Sequence, residues 1–298
     1  MNVETPVIKI DNLVKTYKDF KLEIPDLSIP KGMATALIGE NGAGKSTLLN
    51  ILTGIRLDYE GKFEFFEGKY KEEMQKEKVG YVASSNYFIP SWTIKQVSEG
   101  CKILYKSFDP AKFDSWCKKL MIDGKEGSGK EKYVTKLSDG MQMKTMLASV
   151  FARDTECLVL DEPASPLDPL MRDYLCTMIR EYLEEGAGEK SVFFSTHNIA
   201  DMEAVTDYAI IMEKGNVVEQ GFVEDLKEKY TVVKGDAADT EKASQFLFQI
   251  NKSSMGFDGL ILSENLDKLA GMNVITETPT LSQISVSVMK KYTSLGEE

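Results

Sequence analysis

The hydrophobic positions near the start of the chain recur with the two-residue period of a half-buried β-strand. Val7–Ile10 and Leu22–Ile24 show this alternation, and Gly61–Phe66 and Val79–Ala83 show it further along. Prolines and glycines separate the first segments, as they do at turns between strands. The sequence therefore predicts that the chain begins with β-structure.

The spacing of apolar residues becomes helical from Ile94 to about Leu120, and again over Met141–Phe151 and Pro169–Leu183. Residues three and four positions apart share one face of a helix, which these segments would bury. Short apolar runs at 158–160, 191–195, 207–212 and 217–220 are predicted strands, and the last two would pair as a hairpin. Strands alternating with helices indicate an α/β fold with a largely parallel sheet.

Residues Gly39–Thr47 fit the phosphate-binding pattern G-x-x-x-x-G-K-[ST], between a predicted strand and a predicted helix. Glycines let backbone N–H groups turn around phosphate oxygens, and the new helix adds its positive end. Lys45 would reach the β- and γ-phosphates, and Ser46 would place its hydroxyl on Mg²⁺. The sequence thus predicts a nucleotide site. Its expected contacts in this loop are Gly39, Asn41, Gly42, Ala43, Gly44, Lys45, Ser46 and Thr47.

This loop makes the predicted core that of a P-loop NTPase, with a mostly parallel sheet. We expect four further parts around it: an antiparallel β subdomain, a helical subdomain at about 92–152, a loop at Gly124–Lys130, and a small C-terminal α/β appendage. The periodic pattern weakens after about Tyr230, and Gly235–Thr240 is a polar break. The predicted domains are therefore a nucleotide-binding domain at 1–230 and an accessory or dimerisation domain at 231–298.

Composition narrows the functional classes. The chain has 298 residues, an apolar fraction of 42% and a net charge of −11. The negative charge argues against binding to nucleic acid or to a bare anionic membrane, because both kinds of binding favour clustered Lys and Arg. The four cysteines form no C-x-x-C pair and are expected to be reduced, packed thiols. No secretory signal or membrane-spanning run is evident in the sequence, so another chain would supply any membrane crossing.

A second nucleotide-binding element is expected at 158–162, where the apolar run Leu158–Leu160 ends in Asp161 and Glu162. Asp161 would hold Mg²⁺, through water, at the end of this strand. Glu162 could act as general base and polarise the attacking water. An exposed acidic pair is a common feature by itself, so this assignment depends on the phosphate loop upstream.

The segment Leu137–Met141, with the sequence LSDGM, resembles the signature of the ABC-type ATPases, which begins Leu-Ser-x-Gly. In that family the segment opens a helix and meets the γ-phosphate of ATP bound to the opposing subunit. The resemblance implies that Ser138 and Gly140 contact nucleotide. A serine hydroxyl, a glycine and a helix N-terminus together suit an anion.

Three more features follow the same family pattern, and the resemblance covers roughly residues 7–229. Ser165–Asp168 resembles the D-loop, which communicates across the dimer. His197, the only histidine in the chain, resembles the switch histidine that contacts the γ-phosphate. Tyr17 resembles the aromatic residue that stacks on adenine, although a tyrosine at a strand end could simply cover the core.

The sequence departs from the family at three positions. Ser84 stands where a glutamine usually contacts Mg²⁺ and the attacking water, which predicts weaker magnesium coordination and slower turnover with ATP binding retained. Asp139 replaces the usual glycine, and we expect its carboxylate to face solvent or a basic partner. Met141 replaces the signature glutamine. This Gly-Met form resembles bacterial ABC-2-type exporters, including antimicrobial-peptide and lantibiotic-type exporters, as does the ending at Pro279–Ile284.

The resemblance implies an ATP- and Mg²⁺-dependent ATPase subunit of an ABC transporter. Such a subunit forms a homodimer or heterodimer around ATP and drives a separate transmembrane permease. It would be cytoplasmic and peripheral on the inner face of the cell membrane. Catalysis would fall to Glu162, His197 and Lys45, and the metal contacts to Ser46 and Asp161. The alternatives are a soluble ABC-type ATPase without a transport role, or a weakly catalytic ATP-binding partner in a heterodimer.

Overall fold

The computed structural model describes residues 5–125 and 131–292 and has a six-stranded sheet at its centre. Five of these strands are parallel, and the edge strand at residues 216–222 is antiparallel. Four of the parallel strands are buried along their whole length, which explains their continuous apolar sequences. The predicted α/β fold is confirmed. In spatial order the strands are β5 (Val79–Val82), β6 (Cys157–Leu160), β7 (Ser191–Thr196), β3 (Ala34–Ile38), β8 (Tyr208–Glu213) and β9 (Asn216–Phe222).

A three-stranded antiparallel sheet covers one face of the central sheet. It consists of β1 (Pro6–Thr16), β2 (Lys21–Pro30) and β4 (Glu60–Phe65), with β1 in the middle. Helix α1 (Lys45–Leu52) lies between the two sheets, since its apolar residues join one buried cluster with both. This packing fixes the helix that follows the phosphate loop, and it confirms the predicted antiparallel β subdomain.

The helical middle of the chain contains α2 (Glu72–Lys78), α3 (Ile94–Leu104), α4 (Pro110–Lys119) and α5 (Asp139–Phe151). The prediction of one helical period from Ile94 to Leu120 was wrong in one respect, because the helix is interrupted between α3 and α4. Pro110 occupies the first turn of α4, and the side chain of Asp109 accepts the N–H groups of residues 111 and 112. A proline favours a new helix start over continuation of the old helix. Residues 126–130 of the predicted loop lie outside the described residues.

Helix α6 (Pro169–Glu185) follows β6, and α7 (Val223–Lys229) leads into the C-terminal region. A four-stranded antiparallel sheet with its own small apolar core then forms. Its strands, in spatial order, are β11 (Gln249–Lys252), β12 (Gly256–Leu262), β10 (Tyr230–Asp236) and β13 (Val274–Glu277). The predicted break at Gly235–Thr240 was placed too early, since Gly235 and Asp236 still pair with β12. The region also contains α8 (Thr240–Ser244) and α9 (Leu281–Tyr292).

Helix α9 returns from this sheet to the central domain. Its buried residues Leu281, Ile284 and Val288 belong to the same apolar cluster as the central sheet. The C-terminal sheet begins at residue 230, and α9 packs back onto the chain before that point. The division of the chain into two domains therefore stays a prediction. Across the described part of the chain, no helix has both the length and the apolar character needed to cross a bilayer.

Candidate functional site

The phosphate loop connects β3 to α1 at one end of the central sheet, as predicted. Gly42 and Gly44 have φ angles of 90° and 105°, in the left-handed region that residues with a Cβ rarely adopt. A Cβ at Gly44 would also lie 2.9 Å from Cζ of Phe20. The glycines are therefore required by the turn that brings the chain from the sheet into the helix.

Lys45 is buried at the start of α1, and its ammonium group turns back over the loop. Its Nζ donates to the carbonyl oxygens of Gly39 at 2.6 Å and Glu40 at 3.1 Å. The same nitrogen lies 3.4 Å from Oε1 of Glu162. The loop and the end of β6 thus share one cation, which is positioned to meet an anion between them.

The other loop residues differ in their surroundings. Asn41 and Ser46 are exposed, whereas Ala43 is buried and its carbonyl accepts the N–H of Gly215 at 3.0 Å. Thr47 is half-buried in the first turn of α1. The β8–β9 hairpin therefore supports the loop from behind and leaves its exposed side open.

Asp161 is buried directly after β6 and accepts two hydroxyl hydrogen bonds at the same oxygen. Oδ1 lies 3.2 Å from Oγ of Ser46 and 2.6 Å from Oγ of Ser195. These oxygen donors suit Mg²⁺, which is commonly held by one or two protein oxygens together with phosphate and water. The residues present therefore fit a nucleotide-bound magnesium ion.

Ser195 was missed in the sequence analysis. Its hydroxyl bonds to Asp161 and also accepts the N–H of Glu162 at 2.9 Å, so it fixes both carboxylate residues. The available signal was its position near the end of β7, two residues before His197. Because β6 and β7 are parallel neighbours, residues at their carboxyl ends meet.

Glu162 and His197 form a direct pair. His197 Nδ1 lies 2.7 Å from Oε2 of Glu162, and the His197 N–H donates to the same oxygen at 3.4 Å. Glu162 has a φ of 51°, an uncommon conformation for a residue with a side chain. The bonds to Ser195 and from the N–H of Ser165 to the Glu162 carbonyl hold it there. Such retained backbone strain is typical of functional positions.

The signature segment begins α5, as predicted. Ser138 is the N-cap residue, and its hydroxyl accepts the N–H of Met141 at 3.3 Å. Gly140 packs against the turn Ser165–Asp168, since a Cβ there would lie 2.9 Å from the carbonyl oxygen of Pro166. Ser138 and Asp139 are exposed. The start of this helix is therefore accessible to a ligand or to a second chain.

A cleft of about 490 Å³ joins these parts. Most of the predicted elements contribute to it, including Ser84, which lies where the family usually has glutamine. Tyr17 lies outside the cleft lining and is half-buried, with Lys15 and Arg56 over its ring at 5.1 and 5.3 Å. The cleft is lined by Asn41, Ser84, Ser85, Asn86, Asp139, Gln142, Met143, Met146, Glu162, Ser165, Pro166 and His197.

The fold and the cleft together define the class of protein. A phosphate loop between β3 and a buried helix, and a carboxylate after β6, two strands along the same sheet, are the elements of a P-loop nucleotide-binding domain. The exposed capped helix at Ser138 is an additional element, which the resemblance to the ABC-type branch predicts at this position.

Comparisons with known proteins identify that branch. The ABC transporter family model matches residues 22–165. An uncharacterised ABC transporter ATP-binding protein of Methanocaldococcus jannaschii is 31% identical over 232 residues, covering 76% of this chain and 82% of the relative. The energy-coupling factor transporter ATP-binding protein EcfA2 of Lactococcus lactis is 28% identical, and the match covers 76% of this chain and 81% of that protein. The chain also spans 16% of a much longer human relative, ATP-binding cassette sub-family A member 10.

A solved structure of another ABC transporter protein is also similar to this chain. CbiO1 from Clostridium perfringens, part of the ABC transporter complex CbiONQ, is 26% identical with a TM-score of 0.58. The match covers 75% of this chain and 91% of that one. The chain belongs to the ATP-binding proteins of ABC transporters. It is an ATP-binding and ATP-hydrolysing subunit.

Proposed function

We propose that this ATPase works as one half of a head-to-tail dimer. The phosphate loop of each subunit would bind ATP on one side, and Ser138 and Gly140 of the other subunit would complete the site. One feature supports this arrangement: Ser138 is exposed at the N-terminus of α5. A helix N-terminus attracts negative charge, so ATP would hold the two subunits together.

The observation that carries the catalytic assignment is the position of Glu162 between Lys45 and His197. The carboxylate lies 3.4 Å from one cation and 2.7 Å from the imidazole. In this proposal Glu162 accepts a proton from the attacking water, and His197 orients the carboxylate and donates a hydrogen bond to phosphate. Lys45 stabilises the charge that develops on phosphate oxygens.

Magnesium and the adenine base complete the proposed site. Mg²⁺, held by Ser46 and through water by Asp161, would supply further positive charge at the phosphates. The remaining loop contacts would come from the backbone of residues 39–47. Tyr17 would stack on adenine. The side chains of Lys15 and Arg56 would then have to move off the ring, so that the base could take their place.

We also propose a peripheral, cytoplasmic position on the inner face of the cell membrane. A separate transmembrane permease would bind the chain near Ser84–Trp92 and the helical subdomain, with no nucleic acid partner. Outward transport is supported by the resemblance of Gly140-Met141 to the exporter branch. The region 231–298 would act as an accessory domain of the same subunit.

A second candidate is a weakly catalytic partner in a heterodimer. It is favoured by Ser84, which lines the cleft in place of the usual glutamine, and by Asp139, which adds a negative charge to the lining. The presence of the Glu162–His197 pair favours full catalysis instead. ATP turnover by the purified chain, alone and mixed with a candidate partner subunit, separates the two candidates.

The decisive variant is Glu162→Gln, measured with ATP and Mg²⁺. Removing the proposed base should lower ATP turnover at least about 100-fold, because general base catalysis contributes about that much or more. ATP would still bind, so the variant should accumulate as an ATP-dependent dimer in size-exclusion chromatography with light scattering. Glu181→Gln, an exposed position on α6, makes the same chemical change outside the cleft.

Two results would contradict the proposal. If Glu162→Gln turned over ATP as fast as Glu181→Gln, Glu162 would not be the base. If it stayed monomeric at high concentration with ATP bound, the shared site would need a different partner chain.

A further inference from the structure

Arg172 connects two segments that carry the proposed catalytic residues. It lies in the first turns of α6, just after the turn Ser165–Asp168. Its Nε donates to the carbonyl oxygens of Leu167 at 2.8 Å and Ala164 at 3.2 Å. Its Nη1 lies 2.9 Å from both carboxylate oxygens of Asp201. One guanidinium group thus binds the turn after β6 and a carboxylate that follows β7.

Asp201 continues this connection toward His197. Its Oδ2 accepts the side-chain amide of Asn198 at 2.9 Å, and Asn198 follows His197 directly in the chain. On the other side, Ser165, the first residue of the turn held by Arg172, donates its N–H to the Glu162 carbonyl at 3.1 Å. Hydrogen bonds and single chain links therefore connect Glu162 with His197 by way of Arg172 and Asp201.

The same turn supports the signature helix. Gly140 packs on the carbonyl oxygen of Pro166, which lies between the two carbonyls that Arg172 binds. The Arg172 contacts therefore also set the surface on which the start of α5 rests. Any shift of this turn would displace Gly140 as well as Glu162.

The geometry favours a role in positioning rather than in stability. The side chains of Arg172 and Asp201 are 28% and 22% exposed, so water partly screens their attraction. Helix α6 is anchored independently by a row of buried apolar side chains, including Leu175 and Ile179. The planar guanidinium holds several acceptors in fixed directions, which a lysine ammonium group cannot reproduce.

We propose that Arg172 is a positioning residue that couples the turn Ser165–Asp168 to His197. The turn faces the neighbouring subunit in the proposed dimer, and His197 faces the γ-phosphate. Through Arg172 and Asp201, docking of the second subunit on the turn would hold the Glu162–His197 pair in the orientation needed for hydrolysis. This inference rests on the proposed shared site.

The test compares Arg172→Met with Arg180→Met. Arg180 lies two turns further along α6, is exposed, and donates only to the Ala204 carbonyl among the hydrogen bonds described for it. Arg172→Met should lower kcat for ATP about 10-fold, as loss of a partner that orients a catalytic ligand commonly does. KM should stay within about twofold, because the phosphate-loop contacts remain. Arg180→Met should leave both parameters at the wild-type values.

Two further variants separate positioning from folding. Arg172→Lys keeps the charge beside Asp201 but loses the planar fork, so its kcat should fall between those of wild type and Arg172→Met. Asp201→Ala should resemble Arg172→Met, and the double variant should lose little more than either, because both act through one connection. All variants should keep a Tm close to that of the wild type.

Equal kcat values for Arg172→Met and Arg180→Met would overturn the inference, as would additive losses in the double variant. The trapped dimer of Glu162→Gln is the reference measurement. If that dimer forms and Arg172→Met behaves as Arg180→Met, the shared site stands and the positioning role fails. If no dimer forms, the proposed function on which the role depends has failed.

Discussion

At the residue scale, Ser195 fixes two of the predicted site residues, although the sequence pattern does not reveal it. Ser195 holds Asp161 and the N–H of Glu162, and Glu162 in turn contacts Lys45 and His197. The motif residues were predictable because their chemistry and spacing are distinctive. Ser195 was not, because a single serine in a strand has no signature until its neighbours are known.

Ser84 carries a prediction about turnover. Ser84 is exposed in the cleft, and its side chain is shorter than that of the glutamine usual at this position in the family. Ser84→Gln should raise kcat for ATP about 10-fold by helping to orient the attacking water, while ATP affinity changes little. Steady-state ATPase assays measure this. The matched control is Ser85→Gln, at the adjacent cleft position, and an unchanged rate in Ser84→Gln would refute the idea.

Glu213 carries a prediction about stability and pH. It is buried at the end of β8, and its Oε2 has no hydrogen-bond partner among the residues that the structure describes. Burial, together with the nearby Glu40, raises the pKa of the Glu213 carboxyl above its ordinary value. The folded state therefore binds this proton more tightly than the unfolded state, and folding is penalised wherever the carboxyl is ionised.

Glu213→Gln removes that penalty. Its Tm should exceed that of the wild type by about 2 °C at pH 8, equivalent to roughly 1 kcal/mol for a chain of this size. The gain should shrink as the pH falls through the raised pKa, because the wild-type carboxyl is then protonated too. Thermal unfolding from pH 4.5 to 8 measures it, with Glu224→Gln on the surface of α7 as the control. The adjacent Lys214 acts in the opposite direction, because its positive charge lowers the pKa of the Glu213 carboxyl. A lower Tm for Glu213→Gln at pH 8 would show that this attraction outweighs the cost of burial.

At the element scale, the motif Pro279–Ile284 forms the start of helix α9. Thr280 and Gln283 form a reciprocal cap, with Gln283 N–H bonded to the Thr280 hydroxyl and Thr280 N–H bonded to the Gln283 side chain. The N–H of Leu281 donates to Oε1 of Glu203 at 2.9 Å. Glu203 belongs to the short turn after the His197 segment. The motif therefore starts a helix and docks it beside the nucleotide-binding core.

Glu203→Ala should loosen this docking. It removes the acceptor for the Leu281 N–H and the partner of Lys227, whose Nζ lies 3.5 Å from the same carboxylate oxygen. We expect a loss of about 1 kcal/mol, similar to the loss of a helix cap, and a Tm lower by about 3 °C. Hydrogen exchange should accelerate at the amides of α9 first. Glu224→Ala serves as the surface control, and unchanged exchange in α9 would contradict the docking role.

The helical middle shows where periodicity alone misled. The apolar spacing from Ile94 to Leu120 is nearly continuous, yet α3 and α4 are separate helices. The local signals were present in Asp109 and Pro110, which are typical of a helix start. The β8–β9 hairpin was predicted correctly, because a glycine-containing turn at Lys214–Gly215 separates two short apolar runs.

At the scale of the whole molecule, the cleft is assembled from five separate parts of the chain. Residues near 41, 84, 139, 162 and 197 line the same 490 Å³ space, although about half of the chain separates the first from the last. The parallel order of β5, β6, β7 and β3 brings their carboxyl ends to one edge. That edge is where P-loop proteins bind their nucleotide, and it leaves the start of α5 open for a second subunit.

The sequence by itself determined the chemistry of this protein: the phosphate loop, the acidic residues after β6, the signature serine and glycine, and the single histidine. Short motifs suffice for this because phosphate binding requires particular residues at fixed spacing. Only the tertiary structure decided how these residues support one another. The contacts of Ser195, Arg172 and Asp201 join segments that are distant in the chain. No local sequence pattern could therefore predict them. Only packing decided that α9 returns to the core. Its sequence shows an apolar face but does not show which buried surface that face contacts.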